Sequence, residues 1–338
     1  MSLLEVKNLR VSFNTPDGVV NAVRGLSFEL NKGKTLAIVG ESGSGKSVST
    51  QTITGLTRGA KVSGEAYFDG VDLLTADASY LRKVRGSQIG MIFQDPLSSL
   101  HPYYRVGWQI VEMIRAHESV SKQAARDRAI ELLNLVGIPR AETRIDDFPH
   151  QFSGGMRQRV MIAMAMSLNP SLLIADEPTT ALDVTVQAQV LGVMRNLQEQ
   201  FGTAIILSTH DLGVVAQMTD DVVVMYAGAA METASRREIF YNQHHPYTEG
   251  LLQSLPTQGE SARLVPIAGS PPSLIDLPPG CPFEPRCRYA FDRCGQEAPP
   301  LGGVFGDLTH RSACWLPADE AGRRMSPPRP SVLSSSSL

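Results

Sequence analysis

The chain has 338 residues, a formal net charge of -3, 42% hydrophobic residues and 19% charged residues. Domains of roughly 100 to 200 residues are usual, so we expect one large α/β domain with a smaller unit beside it. The net charge of -3, with no long block of one sign, gives no electrostatic argument for a nucleic-acid partner, and none is expected. No apolar stretch approaches the roughly 18 to 20 residues that span a bilayer, and the N-terminus lacks the order of an export signal, which predicts a cytosolic protein.

The first predicted elements are strands. Residues 3–13 and 21–30 alternate like strands around a turn at 15–18, which indicates a hairpin-like, β-rich edge. The apolar run at 36–39 predicts a buried strand. From about residue 109 to 136 apolar residues recur at helical spacing, which predicts a helical insertion.

The remaining elements alternate between helix and strand, which predicts a largely parallel sheet. We expect helices at 156–168 and 186–201, and strands at 172–175, 204–207 and 222–225. After about residue 255 prolines become frequent, so we expect a loop-rich appendage over 256–323. The serine- and proline-rich tail at 324–338 is predicted to be disordered.

Residues 40–47 read Gly-Glu-Ser-Gly-Ser-Gly-Lys-Ser and fit the phosphate-loop pattern directly after an apolar strand. In such a loop backbone N–H groups surround phosphates, and Lys46 would reach the β- and γ-phosphates while Ser47 binds Mg²⁺. A chance match in a glycine-rich turn is the alternative, and the preceding strand disfavours it. The predicted nucleotide contacts are Gly40, Ser42, Gly43, Ser44, Gly45, Lys46, Ser47 and Val48.

Three further polar positions follow apolar strands. Asp176 and Glu177 end the run 172–175, where Asp176 would bind Mg²⁺ and Glu177 would polarise water; the alternative is an ordinary strand end with solvated acids. Gln94 follows another apolar run and would touch Mg²⁺ or the attacking water. His210 would bond the γ-phosphate, unless it only neighbours a helix cap at Asp211.

A glycine-containing segment precedes the helix predicted at 156–168. It reads Gln-Phe-Ser-Gly-Gly-Met-Arg-Gln-Arg over 151–159, and bare N–H groups at a helix N-terminus attract phosphate. With this segment the set resembles the ABC transporter ATPase family over about residues 3–250. The matching motifs are Walker A at 40–47, the Q-loop Gln94, the signature Ser153-Gly154-Gly155, Walker B at 174–177, the D-loop at 181–183 and the switch His210.

The resemblance implies an α/β fold: an ABC-type P-loop ATPase domain over 1–255, with a mixed β core and a helical subdomain at about 95–168. It implies ATP and Mg²⁺ as ligands and a head-to-tail dimer in which Ser153, Gly154, Gly155 and Asp183 face ATP on the opposite subunit. Phe152 and Met156 depart from the common Leu-Ser-Gly-Gly-Gln form but leave the serine and glycines in place. Phe13 matches the adenine-stacking position, although it could equally pack in the hairpin.

Four stretches, at 40–47, 176–185, 245–248 and 280–287, resemble the ATPase subunits of bacterial oligopeptide and dipeptide importers. That branch implies a second, paralogous ATPase subunit, two integral-membrane permease subunits, an extracellular solute-binding protein and a peripheral position on the cytoplasmic face of the inner membrane. Importers of nickel, glutathione or other small solutes are the nearest alternative. A soluble ABC ATPase that remodels nucleic acid and a metal-dependent regulatory module are more distant ones.

The four cysteines, Cys281, Cys287, Cys294 and Cys314, lie together in the C-terminal fifth of the chain. In a reducing cytosol this clustering favours metal binding over disulfides, and four thiolates suit tetrahedral zinc or an iron-sulfur cluster. The spacings lack the paired knuckles usual for structural zinc. The importer resemblance implies a 4Fe-4S cluster, with Zn²⁺ as the alternative; disulfides and unligated thiols stay open.

Overall fold

The computed structural model describes residues 2–95, 99–180, 182–255 and 266–316. The predicted tail at 324–338 and Ala181 of the predicted D-loop lie outside the described residues. Among the helices that the structure describes, none is long and apolar enough to cross a membrane.

An antiparallel sheet begins the chain, with strand order β2-β1-β4-β5. The strands are β1 (Ser2–Thr15), β2 (Gly18–Asn31), β4 (Ala60–Phe68) and β5 (Val71–Asp72). β1 and β2 form the predicted hairpin, and alternate side chains such as Leu4 and Val6 are buried. The hairpin prediction is confirmed, because period-2 alternation directs one face of each strand to the core.

An eight-stranded sheet carries the rest of the β structure, in the order β11-β12-β10-β9-β3-β8-β7-β6. Its strands are β3 (Thr35–Val39), β6 (Ile89–Ile92), β7 (Leu172–Asp176), β8 (Ala204–Thr209), β9 (Asp221–Tyr226), β10 (Ala229–Ser235), β11 (Gly302–Val304) and β12 (Asp307–Ser312). The five strands from β9 to β6 are parallel, which confirms the predicted parallel core. β3, β7 and β8 are buried along their whole length, and such strands read as continuous apolar runs.

Helices cover the parallel sheet and form the insertion. They are α1 (Lys46–Ile53), α2 (Ala78–Ser87), α3 (Val106–His117), α4 (Lys122–Leu135), α5 (Ala141–Arg144), α6 (Gly154–Ala165), α7 (Val184–Phe201), α8 (Leu212–Met218), α9 (Arg236–Tyr241), α10 (Pro246–Gln253) and α11 (Asp292–Gln296). The helical region predicted at 109–136 is two helices, because Ser121 starts α4 by accepting a hydrogen bond from the Ala124 N–H. α6 begins two residues before the predicted Met156, since Ser153 caps it, and ends before Leu168.

The appendage is loop-rich as predicted, but it is also joined to the large sheet. Between residues 266 and 316 the elements are short: the 3₁₀ turn Glu284–Arg286, α11, β11 and β12. β12 pairs antiparallel with β10, and Phe283 and Cys281 are buried in a core that also contains Tyr226 and Tyr247. The appendage therefore shares a hydrophobic core with the parallel sheet.

Candidate functional site

The phosphate loop connects β3 to α1, and its glycines are required by close backbone contacts. Gly40 has φ +154 and a Cβ there would lie 2.1 Å from the Met225 carbonyl oxygen. Gly45 has φ +101 and a Cβ there would lie 2.4 Å from the Ala22 carbonyl oxygen. The loop is consequently packed closely between β2 and β9, at Ala22 and Met225.

Lys46 lies within this loop and is nearly fully buried. Its Nζ donates to the carbonyl oxygens of Gly40 at 2.8 Å and Glu41 at 3.0 Å, and it lies 4.0 Å from Oε1 of Glu177. Burial lowers the pKa of Lys46, although the carboxylates of Glu177 and Asp176 oppose that effect. The ammonium group is thus held at the mouth of the loop, where the phosphates of a nucleotide would lie.

Asp176 and Ser47 meet beside the loop, at the carboxyl end of β7. The Ser47 hydroxyl donates to Oδ1 of Asp176 at 2.9 Å, and Asp176 is 3% exposed. Burial raises the pKa of Asp176, and the hydrogen bond from Ser47 counteracts it. A hydroxyl and a carboxylate oxygen are hard oxygen ligands of the kind Mg²⁺ prefers.

Glu177 sits in a left-handed backbone conformation, with φ +47. Its Oε2 accepts hydrogen bonds from Gln94 Nε2 at 3.0 Å and Thr180 Oγ1 at 2.9 Å. Its Oε1 lies 3.4 Å from Nδ1 of His210, whose side chain is 57% exposed. Three predicted catalytic residues, Gln94, Glu177 and His210, therefore converge from the ends of β6, β7 and β8.

The nucleotide cleft extends from the loop to the β1–β2 hairpin. Polar and glycine residues line the phosphate end, and apolar residues line the other; together they are Phe13, Val20, Ala22, Ser42, Gly43, Ser44, Gly45, Lys46, Ser47, Val48, Gln94, Glu177 and Leu274. Phe13 faces Val20 across the hairpin and is partly buried. It lines the apolar end of the cleft, and its contact with a base stays a prediction.

The signature residues and Asp183 lie outside this cleft, at the starts of two helices. Ser153 caps α6 by accepting from the Met156 N–H at 3.4 Å, and Asp183 caps α7 by accepting from the Val186 N–H at 2.9 Å. A Cβ on Gly154 would meet open space, whereas one on Gly155 would lie 2.3 Å from Val186 Cγ1. The exposed end of α6 can therefore receive an anion from outside its own chain.

Comparisons with known proteins agree with this geometry. A sequence model of ABC transporters matches residues 23–180, and a model of the oligopeptide/dipeptide transporter C-terminal region matches residues 231–294. The oligopeptide transport ATP-binding protein OppD of Haemophilus influenzae is 51% identical over 94% of this chain and 98% of its own. The chain belongs to the ABC transporter family of ATP-binding proteins.

Other relatives of this ABC transporter protein include OppD of Bacillus subtilis, 54% identical over 93% of this chain and 88% of its own, and the dipeptide transport protein DppD of the same organism, 50% identical over 93% of this chain and 94% of its own. Among solved structures, a dimeric bacterial ABC transporter cassette covers 69% of this chain and 99% of its own, with a TM-score of 0.63 and 27% identity. A dimeric cassette in a post-hydrolysis state, bound to ADP and Pi, matches with the same values. The predicted fold class is confirmed.

The four cysteines lie around one cavity in the appendage of this ABC protein, although they are distant in sequence. Apolar and aromatic side chains, among them Phe283, Phe291 and Trp315, complete its lining. Burial is the main cause that raises the pKa of Cys281 to about 11 and that of Cys287 to about 12. Within the described ranges no group of three or more His, Cys, Asp or Glu side chains is placed to hold a metal ion, so the predicted metal site gains no support from that geometry.

Two further residues of the site were not predicted. Thr180 donates a hydrogen bond to Oε2 of Glu177, the candidate general base. The only local sequence signal for this contact was a hydroxyl residue three positions after Glu177. Arg286, from the appendage, binds Glu41 of the phosphate loop with Nη1–Oε2 2.7 Å and Nη2–Oε1 3.0 Å. Sequence spacing contains no signal for a contact between residues that are 245 positions apart.

Proposed function

We propose that the chain is the ATP-binding and ATP-hydrolysing subunit of a bacterial ABC importer of dipeptides and oligopeptides. Two observations carry the proposal. Lys46, Asp176 and Glu177 lie together at one phosphate-loop site, and the sequence is 50% or more identical to the OppD proteins of Haemophilus influenzae and Bacillus subtilis and to DppD of Bacillus subtilis, over at least 93% of the chain. Those relatives are named for peptide transport, which favours peptides over nickel or glutathione as the solute. The second ATPase subunit, two permease subunits and an extracellular binding protein are the expected partners, at the cytoplasmic face of the membrane.

The proposed roles follow from the positions of the side chains. Lys46 binds the β- and γ-phosphates, and Ser47, Asp176 and Gln94 would hold Mg²⁺, which neutralises phosphate charge when it is bound. Glu177 takes the proton of the attacking water, and His210 donates to the γ-phosphate. Phe13 stacks on adenine, while Ser42, Gly43, Ser44, Gly45 and Val48 line the cleft around the nucleotide. Gly40 is not among the described lining residues and acts through its carbonyl oxygen, which accepts a hydrogen bond from Lys46.

A head-to-tail dimer completes each site in this proposal. Ser153, Gly154 and Gly155 form an exposed N-terminus on α6, and a helix N-terminus attracts the γ-phosphate. None of these three residues is among the described residues that line the cleft of their own chain. We therefore assign them, with Asp183 beside them, to the ATP of the opposite subunit. Within each chain we propose a nucleotide-binding domain over 1–255, a helical subdomain over about 95–168 and the appendage from 256 to 323.

We further infer that an apolar groove receives the permease. The groove has a volume of about 560 Å³ and is lined by the end of β6 and by α2, α3 and α6, including Met91, Phe93, Met113, Met161 and Met164. Methionine-rich grooves accept amphipathic helices because the side chain is flexible and polarisable. Phe93 directly precedes Gln94, so a partner seated here would lie one residue from the hydrolytic site.

Co-purification from a membrane that contains a co-expressed permease pair tests this function. The wild-type chain is expected to bring down both permease subunits and to hydrolyse ATP in the complex. Met164→Glu is expected to abolish co-purification while it leaves ATP binding intact, because it places a charge in the apolar groove; Glu199→Gln on the exposed face of α7 is the matched control. Co-purification of the glutamate variant at the wild-type level would contradict the groove assignment, and a wild-type chain that binds no permease would contradict the importer function.

We also propose that Cys281, Cys287, Cys294 and Cys314 hold a 4Fe-4S cluster. The basis of this proposal is the residue type and the shared cavity: all four cysteines line it, and four thiolates are the ligand set of a 4Fe-4S cluster, although the described side chains are not arranged as a metal-binding group. When bound, a cluster would supply folding free energy to a segment that is rich in proline. Anaerobic purification followed by iron, sulfide and zinc analysis tests it: about four irons per chain are expected. Stoichiometric zinc, or neither metal, would refute the cluster, and Cys287→Ser should lose the iron.

A further inference from the structure

The nucleotide cleft has one lining residue that comes from the appendage rather than from the ATPase motifs. Leu274 lines the cleft together with Phe13, Val20 and Ala22. Its carbonyl oxygen accepts a hydrogen bond from the Asn21 N–H at 3.0 Å. Asn21 lies between Val20 and Ala22, which line the same wall of the cleft. Leu274 therefore lies at the apolar end of the cleft, away from the phosphate loop.

The segment around Leu274 is held in place on both sides. The next residue, Ile275, packs so closely on the hairpin turn that a Cβ on Gly18 would lie 2.8 Å from its Cγ2. Pro271 and Pro272 restrict the backbone that leads into the segment. Since the hairpin and Leu274 are joined by a main-chain hydrogen bond, the wall is formed before any ligand enters.

The appendage is also fixed to the phosphate end of the same cleft. Arg286 makes two hydrogen bonds to Glu41, a third to Tyr226 Oη at 3.2 Å, and others to the carbonyl oxygens of Ala268 and Ile267. The side chain of Arg286 is 5% exposed. The appendage is thus anchored at two places, to the apolar wall of the cleft through Leu274 and to the phosphate loop through Arg286.

We propose that Leu274 contacts the base of bound nucleotide, so that the C-terminal appendage completes the ATP site. This inference rests on the proposed ATP-binding function. Phosphates are bound by N–H groups and Lys46 at the other end, whereas a flat base needs apolar surface, which Phe13, Val20 and Leu274 supply. The contribution of Leu274 is accordingly specific to the nucleoside part of the ligand.

Calorimetric titration of the full chain with two ligands tests the contact. Leu274→Ala removes apolar surface from a partly open wall, so we expect about three- to tenfold weaker binding of Mg-ATP. Binding of Mg-triphosphate, which has no base, should be unchanged. Leu308→Ala is the matched control, because Leu308 lies in the same appendage and is 73% exposed.

The outcomes separate the inference from the function on which it rests. Wild-type affinity of Leu274→Ala for Mg-ATP, or an equal loss for triphosphate, overturns the base contact. Lys46→Ala should weaken both ligands. If the wild-type chain itself does not bind Mg-ATP, the proposed function fails and not merely the contact.

Photolabelling gives a readout that needs no variant. With 8-azido-ATP the reactive group is on the base, so we expect label on the tryptic peptide 264–286, which contains Leu274, and on peptide 11–24, which contains Phe13. Excess ATP should suppress both labels. Suppressible label on peptide 11–24 alone would overturn the proposal while it leaves the ATP site in place.

Discussion

Replacing Glu177 by glutamine tests whether its carboxylate acts as the base toward water. Oε2 already accepts from Gln94 and Thr180, so the amide oxygen of the variant should stay with these two donors. The amide nitrogen then occupies the position of Oε1, beside Nδ1 of His210. An amide cannot take up a proton, so Glu177→Gln removes the base and preserves the shape of the site.

The expected loss is large in hydrolysis and small in binding. General-base groups typically contribute about 10²- to 10⁴-fold, which corresponds to about 2.7–5.4 kcal/mol of activation free energy. Lys46 is 4.0 Å from Glu177 and keeps its two carbonyl contacts in the variant, so Mg-ATP affinity should change little. Steady-state phosphate release from the assembled complex, with a parallel nucleotide titration, measures both quantities.

Glu199→Gln, on the exposed face of α7, is the control for loss of one carboxylate. An unchanged rate per active site in Glu177→Gln would refute the assignment of the base. Loss of Mg-ATP binding together with hydrolysis would instead show that the carboxylate supports the structure of the loop.

Three further variants probe the other parts of the site. Lys46→Ala should weaken Mg-ATP binding about ten- to hundredfold, because charge-assisted hydrogen bonds to the phosphates are lost. Titration measures this, and wild-type affinity of the variant would contradict the phosphate-loop role. Ser153→Arg should leave binding in its own cleft intact and stop hydrolysis at the partner's site, so normal turnover at both sites of a mixed dimer would exclude the head-to-tail arrangement. Arg286→Met should lower the free energy of unfolding by about 1–3 kcal/mol, less than for a fully buried pair because Glu41 is partly exposed. Denaturant unfolding measures this, with Arg82→Met as the control, and equal unfolding midpoints of the two variants would count against it.

The sequence predicted the parts of the site that depend on local order. Gln94, Asp176, Glu177 and His210 each follow a buried apolar run, and the carboxyl ends of parallel strands meet at one edge of a sheet. The sequence predicted β3, β7 and β8 as strands, and the apolar run before Gln94 is the parallel strand β6, so the convergence follows from the topology. Cap residues such as Ser153 also fixed the start of α6, although the apolar period placed it two residues late.

Contacts of the appendage could not be predicted in this way. Arg286 contacts the phosphate loop at Glu41 and Leu274 lines the cleft, and no periodicity of the sequence predicts such contacts between distant segments. The high proline content also suggested an appendage without long strands, yet β12 follows the proline-rich part and joins β10. Backbone pairing with β10 therefore accompanies the strand conformation of β12, most of whose side chains are exposed or half-buried.

The pairing of β12 with β10 has a consequence for shortened forms of the protein. Without β12, the N–H and C=O groups of β10 between Glu232 and Thr233 would form an open sheet margin that can recruit a strand from another molecule. His310, which lies 2.8 Å from the buried carboxylate of Glu232, would be lost with it. A chain cut at residue 255 should consequently tend to precipitate, even though every ATPase motif remains in it.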